Sequence, residues 1–283
     1  MSEAPATAAD KPRPRKRTRR RREQLAALLA DRGASTSVHD LLAHFDVSEA
    51  TLRRDLAALS EAGELVRVYG GAAPAHRSEF SWREKALEAA EAKRRIAEFA
   101  ARELVASGDM VFIDAGTTPR RVARALRDRE DVTLVIAGLA ALLEVAEGNS
   151  RVVVLGGRLR RPSASFLGSA ADLLLDLVTP DVAFLGTDYL DPVLGANYPD
   201  LEQAAFKSRV IGRSQRSWLV VDESKFPGPA PFGHWARLDA RTGIVTTTPS
   251  DPAGQAALDA FVGAGHVVHR LGSDRPTEQV GPG

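Results

Sequence analysis

The chain has 283 residues, 44% of them hydrophobic and 27% charged, with a formal net charge of +1 and no cysteine. That composition belongs to an ordinary globular protein long enough for two domains, and the lack of cysteine excludes disulfides, thiolate metal sites and thiol catalysis. No apolar run approaches the ~20 residues needed to cross a bilayer, and the polar, basic start is unlike a signal peptide, so a cytoplasmic protein with no membrane partner is expected.

The small net charge conceals an asymmetry. Lys11, Arg13, Arg15, Lys16, Arg17, Arg19, Arg20, Arg21 and Arg22 form a run of nine positive charges without an acid, which leaves −8 for the rest of the chain. Residues 1–17, interrupted by Pro12 and Pro14, read as a disordered basic arm. Such a run is either a solvated tail or an arm that pairs with phosphates and releases counterions. Leu25, Leu28 and Leu29 then mark a helix from about Arg19 to Asp31. Ser37-Val38-His39-Asp40 has capping-box spacing and opens a second helix with Leu41, Leu42 and Phe45 on its apolar side. After a turn at Asp46-Val47, Ser48 caps a third helix whose buried face is Leu52, Leu56 and Leu59. Glu64 to Tyr69 alternates and runs into Gly70-Gly71, the pattern of a hairpin or wing.

Helix, short turn and helix form a helix-turn-helix, whose second member presents its N-terminal residues to the major groove. Ser48, Thr51, Arg53 and Arg54 stand where base or phosphate contacts are made, with Arg67 on the wing and Arg19, Arg20, Arg21 and Arg22 as phosphate partners. An amphipathic helix pair with a solvated charged face is the bland alternative for any one helix. The ordered pattern over residues 21–71, above all SEATLRRDL followed by ELVRVYGGA, resembles the DNA-binding end of the DeoR-type bacterial transcriptional regulators.

Residues 72–82 lose apolar periodicity and read as a linker between a helix-turn-helix domain at 18–71 and a larger domain at 83–270, with a flexible tail at 271–283. Arg83 to Ser107 reads as one long Ala-rich helix. Beyond it, Met110–Ile113, Thr133–Ile136, Val152–Leu155, Val182–Leu185, Trp218–Val221, Ile244–Thr246 and, less distinctly, His266–Arg270 are candidate strands between helical stretches. The expected fold class is therefore α/β, a winged helix-turn-helix followed by a mostly parallel sheet covered by helices.

In such sheets ligands bind at the carboxyl ends of strands. Asp114-Ala115-Gly116-Thr117-Thr118 leaves the first strand and enters a helix, offering small residues, two hydroxyls and backbone N–H groups that suit a phosphate. Taken alone, the loop is better accounted for by an ordinary strand-to-helix connection. Gly156 and Gly157 form a second Gly-rich turn, Gly186-Thr187-Asp188 brings a carboxylate to a third strand end, and Asp222-Glu223-Ser224-Lys225 brings an ammonium to a fourth. Lys207 lies on a helix after a long loop from Tyr189 to Pro199. Phosphate donors with a carboxylate for hydroxyls suit a phosphorylated sugar or polyol.

DAGTT, LGG, FLGTD and DESKF in this order resemble the effector domain of the same DeoR-type regulators, a domain similar to ribose-5-phosphate isomerase. The resemblance implies that Asp114, Gly116, Thr117 and Thr118 contact a phosphate, that Asp188 contacts hydroxyls, and that Lys207 and Lys225 supply positive charge. The chain departs from the pattern at Ile136-Ala137-Gly138, where two polar side chains are missing, at Tyr189, and at the proline-rich Phe226 to Pro231. The partners implied are operator DNA, a phosphorylated sugar effector and other copies of the chain in a dimer or tetramer. No cofactor is implied, and the histidines lack metal-ligand spacing. The function expected is a repressor of carbohydrate metabolism genes. The alternatives are a sugar-phosphate isomerase with Asp188, Glu202 and Lys207 in catalytic roles, and a DNA-binding protein whose larger domain serves only assembly.

Overall fold

A computed structural model of the protein describes residues 16–32, 36–62, 65–68, 71–74, 79, 82–226, 230–272 and 278–280. The expected arm up to Arg15, the helix stop at Gly63, Gly70 and the turn at 227–229 lie outside the described residues. The chain divides into two compact units, 1–78 and 79–283.

The first unit contains α1 (Lys16–Arg32), β1 (Thr36–Ser37), α2 (Val38–His44), α3 (Glu49–Glu61), β2 (Leu65–Val68) and β3 (Gly71–Pro74). Both caps expected from sequence form. Ser37 Oγ accepts from the Asp40 N–H at 3.1 Å, and Ser48 Oγ accepts from the Thr51 N–H at 3.3 Å. Leu25, Leu29, Leu41, Leu52, Leu56 and Leu59 bury one common core. Two boundaries move. The helix begins at Lys16, inside the stretch expected to be an arm, and β3 pairs with β2 and β1 through residues expected to be linker.

The second unit opens with α4 (Trp82–Leu87) and α5 (Ala90–Glu103), which replace the single long helix expected. The break is at Ala89, whose φ of 45° puts a residue with a Cβ in the left-handed region. The parallel strands follow as β4 (Met110–Ile113), β5 (Thr133–Ile136) and β6 (Arg151–Val154), separated by α6 (Thr117–Leu126) and α7 (Leu139–Val145). A hairpin of β7 (Arg158–Arg160) and β8 (Ser165–Leu167) and α8 (Ser169–Asp176) lead to β9 (Val182–Leu185). The loop expected from Tyr189 to Pro199 is instead the hairpin β10 (Tyr189–Asp191) and β11 (Gly195–Tyr198). Next come α9 (Leu201–Arg213), β12 (Arg216–Val220), a 3₁₀ turn at Glu223–Lys225, β13 (His234–Ala236), β14 (Thr242–Thr247), α10 (Pro252–Gly263), β15 (Val268–Leu271) and β16 (Glu278–Val280).

The main sheet has the order β16-β15-β14-β12-β9-β4-β5-β6, with seven strands parallel and β16 antiparallel at one edge. The tail expected to be flexible from 271 thus supplies part of β15 and an edge strand. Alternate strand residues feed two apolar layers. Phe112, Val135, Leu185 and Leu219 pack with α8, α9 and α10, while Val111, Ile113, Leu134 and Val220 pack with α5, α6 and α7. From β4 the chain moves one way to β5 and β6, and later the other way through β9 to β15. The carboxyl ends of β4 and β9 therefore flank the switch in strand order, where open α/β sheets form their crevice.

Candidate functional site

On the helix-turn-helix unit, the basic residues sort into three groups by what already holds them. Asp55 on α3 is 2% exposed, and its two oxygens accept from Arg21 Nε at 2.6 Å and Arg22 Nε at 2.8 Å. The fork ties α1 to α3, so Arg21 and Arg22, expected as phosphate partners, are both engaged inside the unit by one carboxylate. Arg19 and Arg53 make exposed pairs one helical turn away, with Glu23 at 2.9 Å and Glu49 at 2.7 Å. Pairs of that kind contribute ~0.3–0.5 kcal/mol and exchange readily for a phosphate. Arg20 and Arg54 are exposed and have no ion pair among the described residues. At the start of α3, Ser48 Oγ and Thr51 Oγ1 share a hydrogen bond at 2.9 Å. Arg67 is on β2 in register with Ala72 of β3.

In the larger unit a pocket opens at the switch in strand order, and Asp114, Gly116, Thr117, Thr118, Asp188, Lys207 and Lys225 all line it. The loop after β4 is fixed from beneath. Asp114 is buried, and its carboxylate accepts from the Gly186 N–H at 3.0 Å and the Ala115 N–H at 2.6 Å, besides taking a direct ion pair from the buried Lys207. Asp114 thereby positions the loop after β9 and Lys207. Burial pushes the Lys207 ammonium below its ordinary value. Gly116 caps α6, and a Cβ there would stand 2.8 Å from Pro119 Cδ and 3.5 Å from Gly186 Cα, so glycine allows the two loops to approach. Thr117 and Thr118 then present the first N–H groups of α6, which have no partner within the helix.

Four carboxylates and four lysines line this pocket. Asp114 is held by Lys207, Asp188 by Lys85, Asp222 by Lys93 at 3.7 Å and Glu79 by the Arg160 guanidinium at 2.8 Å. Lys225 is left with no carboxylate partner among the described residues. The lining charges balance in number, and Arg160, which is not a lining residue, also pairs with Asp200; the unpaired positive groups facing the pocket are this lysine and the start of α6. Trp82 adds an aromatic wall, with the guanidiniums of Arg83 and Arg120 5.5 Å and 5.7 Å from its ring. Tyr198 closes another side, its hydroxyl donating to the Gly186 carbonyl at 2.9 Å and pushed up in pKa by burial.

Lys85, Lys93, Glu79 and Trp82 are pocket residues that sequence reasoning missed. Lys93 interrupts an Ala-rich helical pattern and its Nζ donates to the Lys85 carbonyl at 2.7 Å. A buried lysine inside an apolar helix face was the one available signal.

Two glycines do not join the site. Gly156 and Gly157 follow β6, the far edge strand, two strands from β4, and neither lines the pocket. Gly157 has φ 96° and a Cβ there would meet the Leu167 carbonyl oxygen at 2.6 Å, so this turn serves the β7–β8 hairpin. Of the departures noted in sequence, Ile136 and Ala137 are fully buried and do not line the pocket, Tyr189 stacks edge-on against Trp235, and Gly138 lies against the pocket loop, where a Cβ would meet Ala115 Cβ at 2.5 Å. Glu202 pairs with Arg158 and is not among the lining residues. Among the described residues no group of His, Asp and Glu has the arrangement of a metal site, and no helix is long and apolar enough to cross a membrane.

Comparison with known proteins bears on both units. Residues 21–78 match the DeoR-like helix-turn-helix domain, and residues 88–248 match the DeoR C terminal sensor domain. The HTH-type transcriptional regulator GlpR of Haloferax volcanii is 34% identical over 220 residues, covering 77% of this chain and 85% of its own. The glycerol-3-phosphate regulon repressor of Escherichia coli (strain K12) is 35% identical over 193 residues, covering 67% of this chain and 76% of its own. Ribose 5-phosphate isomerase A from Methanocaldococcus jannaschii overlaps 47% of this chain and 52% of its own at 19% identity and a TM-score of 0.35, too slight a likeness to bear on activity. With a winged helix-turn-helix, a pocket at the switch of a parallel sheet and both segments matched, the chain belongs to the DeoR family of transcriptional regulators.

Proposed function

We propose that this regulator is a repressor of carbohydrate metabolism genes, binding operator DNA through α3 and the wing, and that a phosphorylated sugar or polyol in the sensor pocket modulates that binding. Arg54 and Thr51 act at the groove, with Arg53 recruited from its pair with Glu49, while Arg19 and Arg20 on α1 face phosphates. One helix-turn-helix reads a short half-site, so a dimer or tetramer is needed for useful specificity.

The observation that carries the ligand reading is the pairing scheme of the pocket. Every lining carboxylate already has a cation, which leaves Lys225 and the N-terminus of α6 as unpaired positive groups, a place suited to a phosphate dianion. Gly116, Thr117, Thr118 and Lys225 hold the phosphate. Asp188 exchanges its Lys85 partner for ligand hydroxyls, and Asp114 with Lys207 fixes the floor. A relative named for the glycerol-3-phosphate regulon supports a phosphorylated polyol. Modulation then requires that the ligand bind one operator-competence state better than the other.

The isomerase alternative draws less from the geometry. Of its candidate groups Glu202 is outside the pocket, and Asp188 can serve as a base only on leaving Lys85, so turnover of ribose 5-phosphate by the full chain is what would favour it. The test is a fluorescence-anisotropy titration of the full chain against DNA from upstream of its own gene, with and without glycerol 3-phosphate, fructose 1-phosphate and ribose 5-phosphate. Specific binding relieved by one of these compounds is expected. Binding indifferent to phosphorylated sugars at millimolar concentration would remove the effector half of the proposal.

A further inference from the structure

Gln203 sits in the first turn of α9, where its backbone N–H donates to the capping carboxylate of Asp200 at 2.8 Å. Lys207 follows four residues later on the same helix face, and both side chains line the pocket. Gln203 is 5% exposed. Its amide nitrogen is held at 3.4 Å by Ser165 Oγ, which is 2.7 Å from Ser163 Oγ, and Ser163 in turn accepts from Arg160 Nη1 at 3.1 Å. The amide oxygen has no hydrogen-bond partner. Turning the amide over would orphan the nitrogen instead, so one polar atom is unmet in either orientation.

Native proteins keep few buried polar groups unmet, and those they keep tend to have a functional reason. The chemistry of the missing partner follows from the amide. A hydroxyl is donor and acceptor at once and satisfies either amide atom, whereas a phosphate oxygen is an acceptor only and would oppose the amide oxygen. An ammonium is disfavoured by the neighbouring Lys207. The pocket thus has an anion end at Thr117, Thr118 and Lys225 and a neutral polar position at Gln203.

We infer that Gln203 is a specificity-determining residue that reads a hydroxyl on the carbon chain of the ligand, so that the pocket takes phosphorylated polyols and sugars and rejects phosphate monoesters lacking that hydroxyl. The inference rests on the phosphate reading of the same pocket. Rejection is strong in sites of this kind because a ligand without the hydroxyl leaves the buried amide unpaired.

Isothermal titration of the full chain and of its Gln203→Met and Gln203→Leu variants tests this, with glycerol 3-phosphate, ribose 5-phosphate, n-propyl phosphate and inorganic phosphate as probes. The wild type should bind at least one hydroxylated phosphate ~100-fold more tightly than n-propyl phosphate, and the variants should shrink that gap at least ~10-fold. Affinity for inorganic phosphate should stay within about twofold, and the melting temperature should not fall, because an apolar replacement removes an unmet polar atom. An unchanged gap in variants that melt normally overturns the role of Gln203. A wild type that binds all phosphates alike overturns the inference and leaves the phosphate site standing. A wild type that binds none of the four overturns the phosphate reading itself, and this inference with it.

Discussion

Replacing Asp55 by alanine separates two roles that the basic residues of the DNA-binding unit would otherwise share. Asp55 is the common acceptor for Arg21 and Arg22, whose side chains are 18% and 27% exposed. A hydrogen bond to a charged group contributes ~1.5–3 kcal/mol, and the partial exposure of both arginines argues for the lower end, giving ~3 kcal/mol for the fork. In a domain of this size ~1 kcal/mol corresponds to ~4–8 °C, so Asp55→Ala should lower the melting transition of the DNA-binding unit by roughly 12–24 °C. Calorimetry of the full chain, with hydrogen exchange at α1 and α3 to assign the transition, measures it. Arg21→Ala should show a smaller loss of the same kind.

Arg20→Ala and Arg54→Ala supply the contrast, since neither exposed side chain has an ion pair among the described residues. Their melting temperatures should move by less than ~2 °C while operator affinity falls, by ~1–3 kcal/mol for a base contact at Arg54. For a phosphate contact at Arg20 the salt slope should drop by ~0.9. If Asp55→Ala melts like the wild type and Arg21→Ala lowers the salt slope by about one, the fork is not structural and the partition drawn from these distances is wrong.

Lys225→Met should weaken binding of a phosphorylated ligand by roughly tenfold with little change in melting temperature, because no ion pair is lost; calorimetric titration checks it. Gly157→Ala should destabilise the sensor domain by about 2 kcal/mol or more, since a left-handed φ and a carbonyl contact at 2.6 Å both oppose a Cβ, yet leave ligand affinity unchanged because the turn lies outside the pocket. Burial holds the Lys93 and Lys207 ammoniums below the ordinary lysine value of ~10.4. The unfolded chain then binds more protons over the window between the folded values and ~10.4, so stability should rise with pH across it. Urea unfolding between pH 7 and 10 measures the rise, and the double variant Asp114→Asn, Lys207→Met should flatten it.

What the sequence discloses and what it hides divide along the range of the interactions involved. The caps at Ser37 and Ser48 bond within three residues, so residue type and spacing contain the whole interaction, and the structure has both. Strand positions were legible for a similar reason, since buried parallel strands read as short apolar runs. Site roles depend on partners far along the chain. Arg21 and Arg22 look identical to Arg19 and Arg20 until Asp55, 33 and 34 residues on, is seen to take them. The Gly-Gly turn after β6 has the composition of an anion loop, and only strand order shows that it ends two strands from the switch.

The segment read as a linker followed by one long helix is the sharpest case. Alanine is the best helix former, and nothing local marks Ala89 as a break, where a left-handed residue with a Cβ costs ~1–2 kcal/mol. What opposes that cost is tertiary. Ending α4 at Leu87 puts Lys85 against Asp188 and lets Arg121 Nη2 donate to the Ala86 carbonyl at 3.3 Å, while Lys93 from α5 reaches the Lys85 carbonyl and Asp222. A continuous helix would carry Lys85 and Lys93 on one rigid rod with a fixed separation of eight residues, ~12 Å along the axis, and they could not both converge on one pocket. The break therefore belongs to the site, and a substitution at residue 89 tests the argument. Ala89 already has the highest propensity, so the informative change is Ala89→Gly. Glycine tolerates the left-handed conformation, so it should stabilise the sensor domain by ~1 kcal/mol in urea unfolding. If glycine instead destabilises it by that amount, residue 89 is helical in solution and the convergence of the two lysines fails with it.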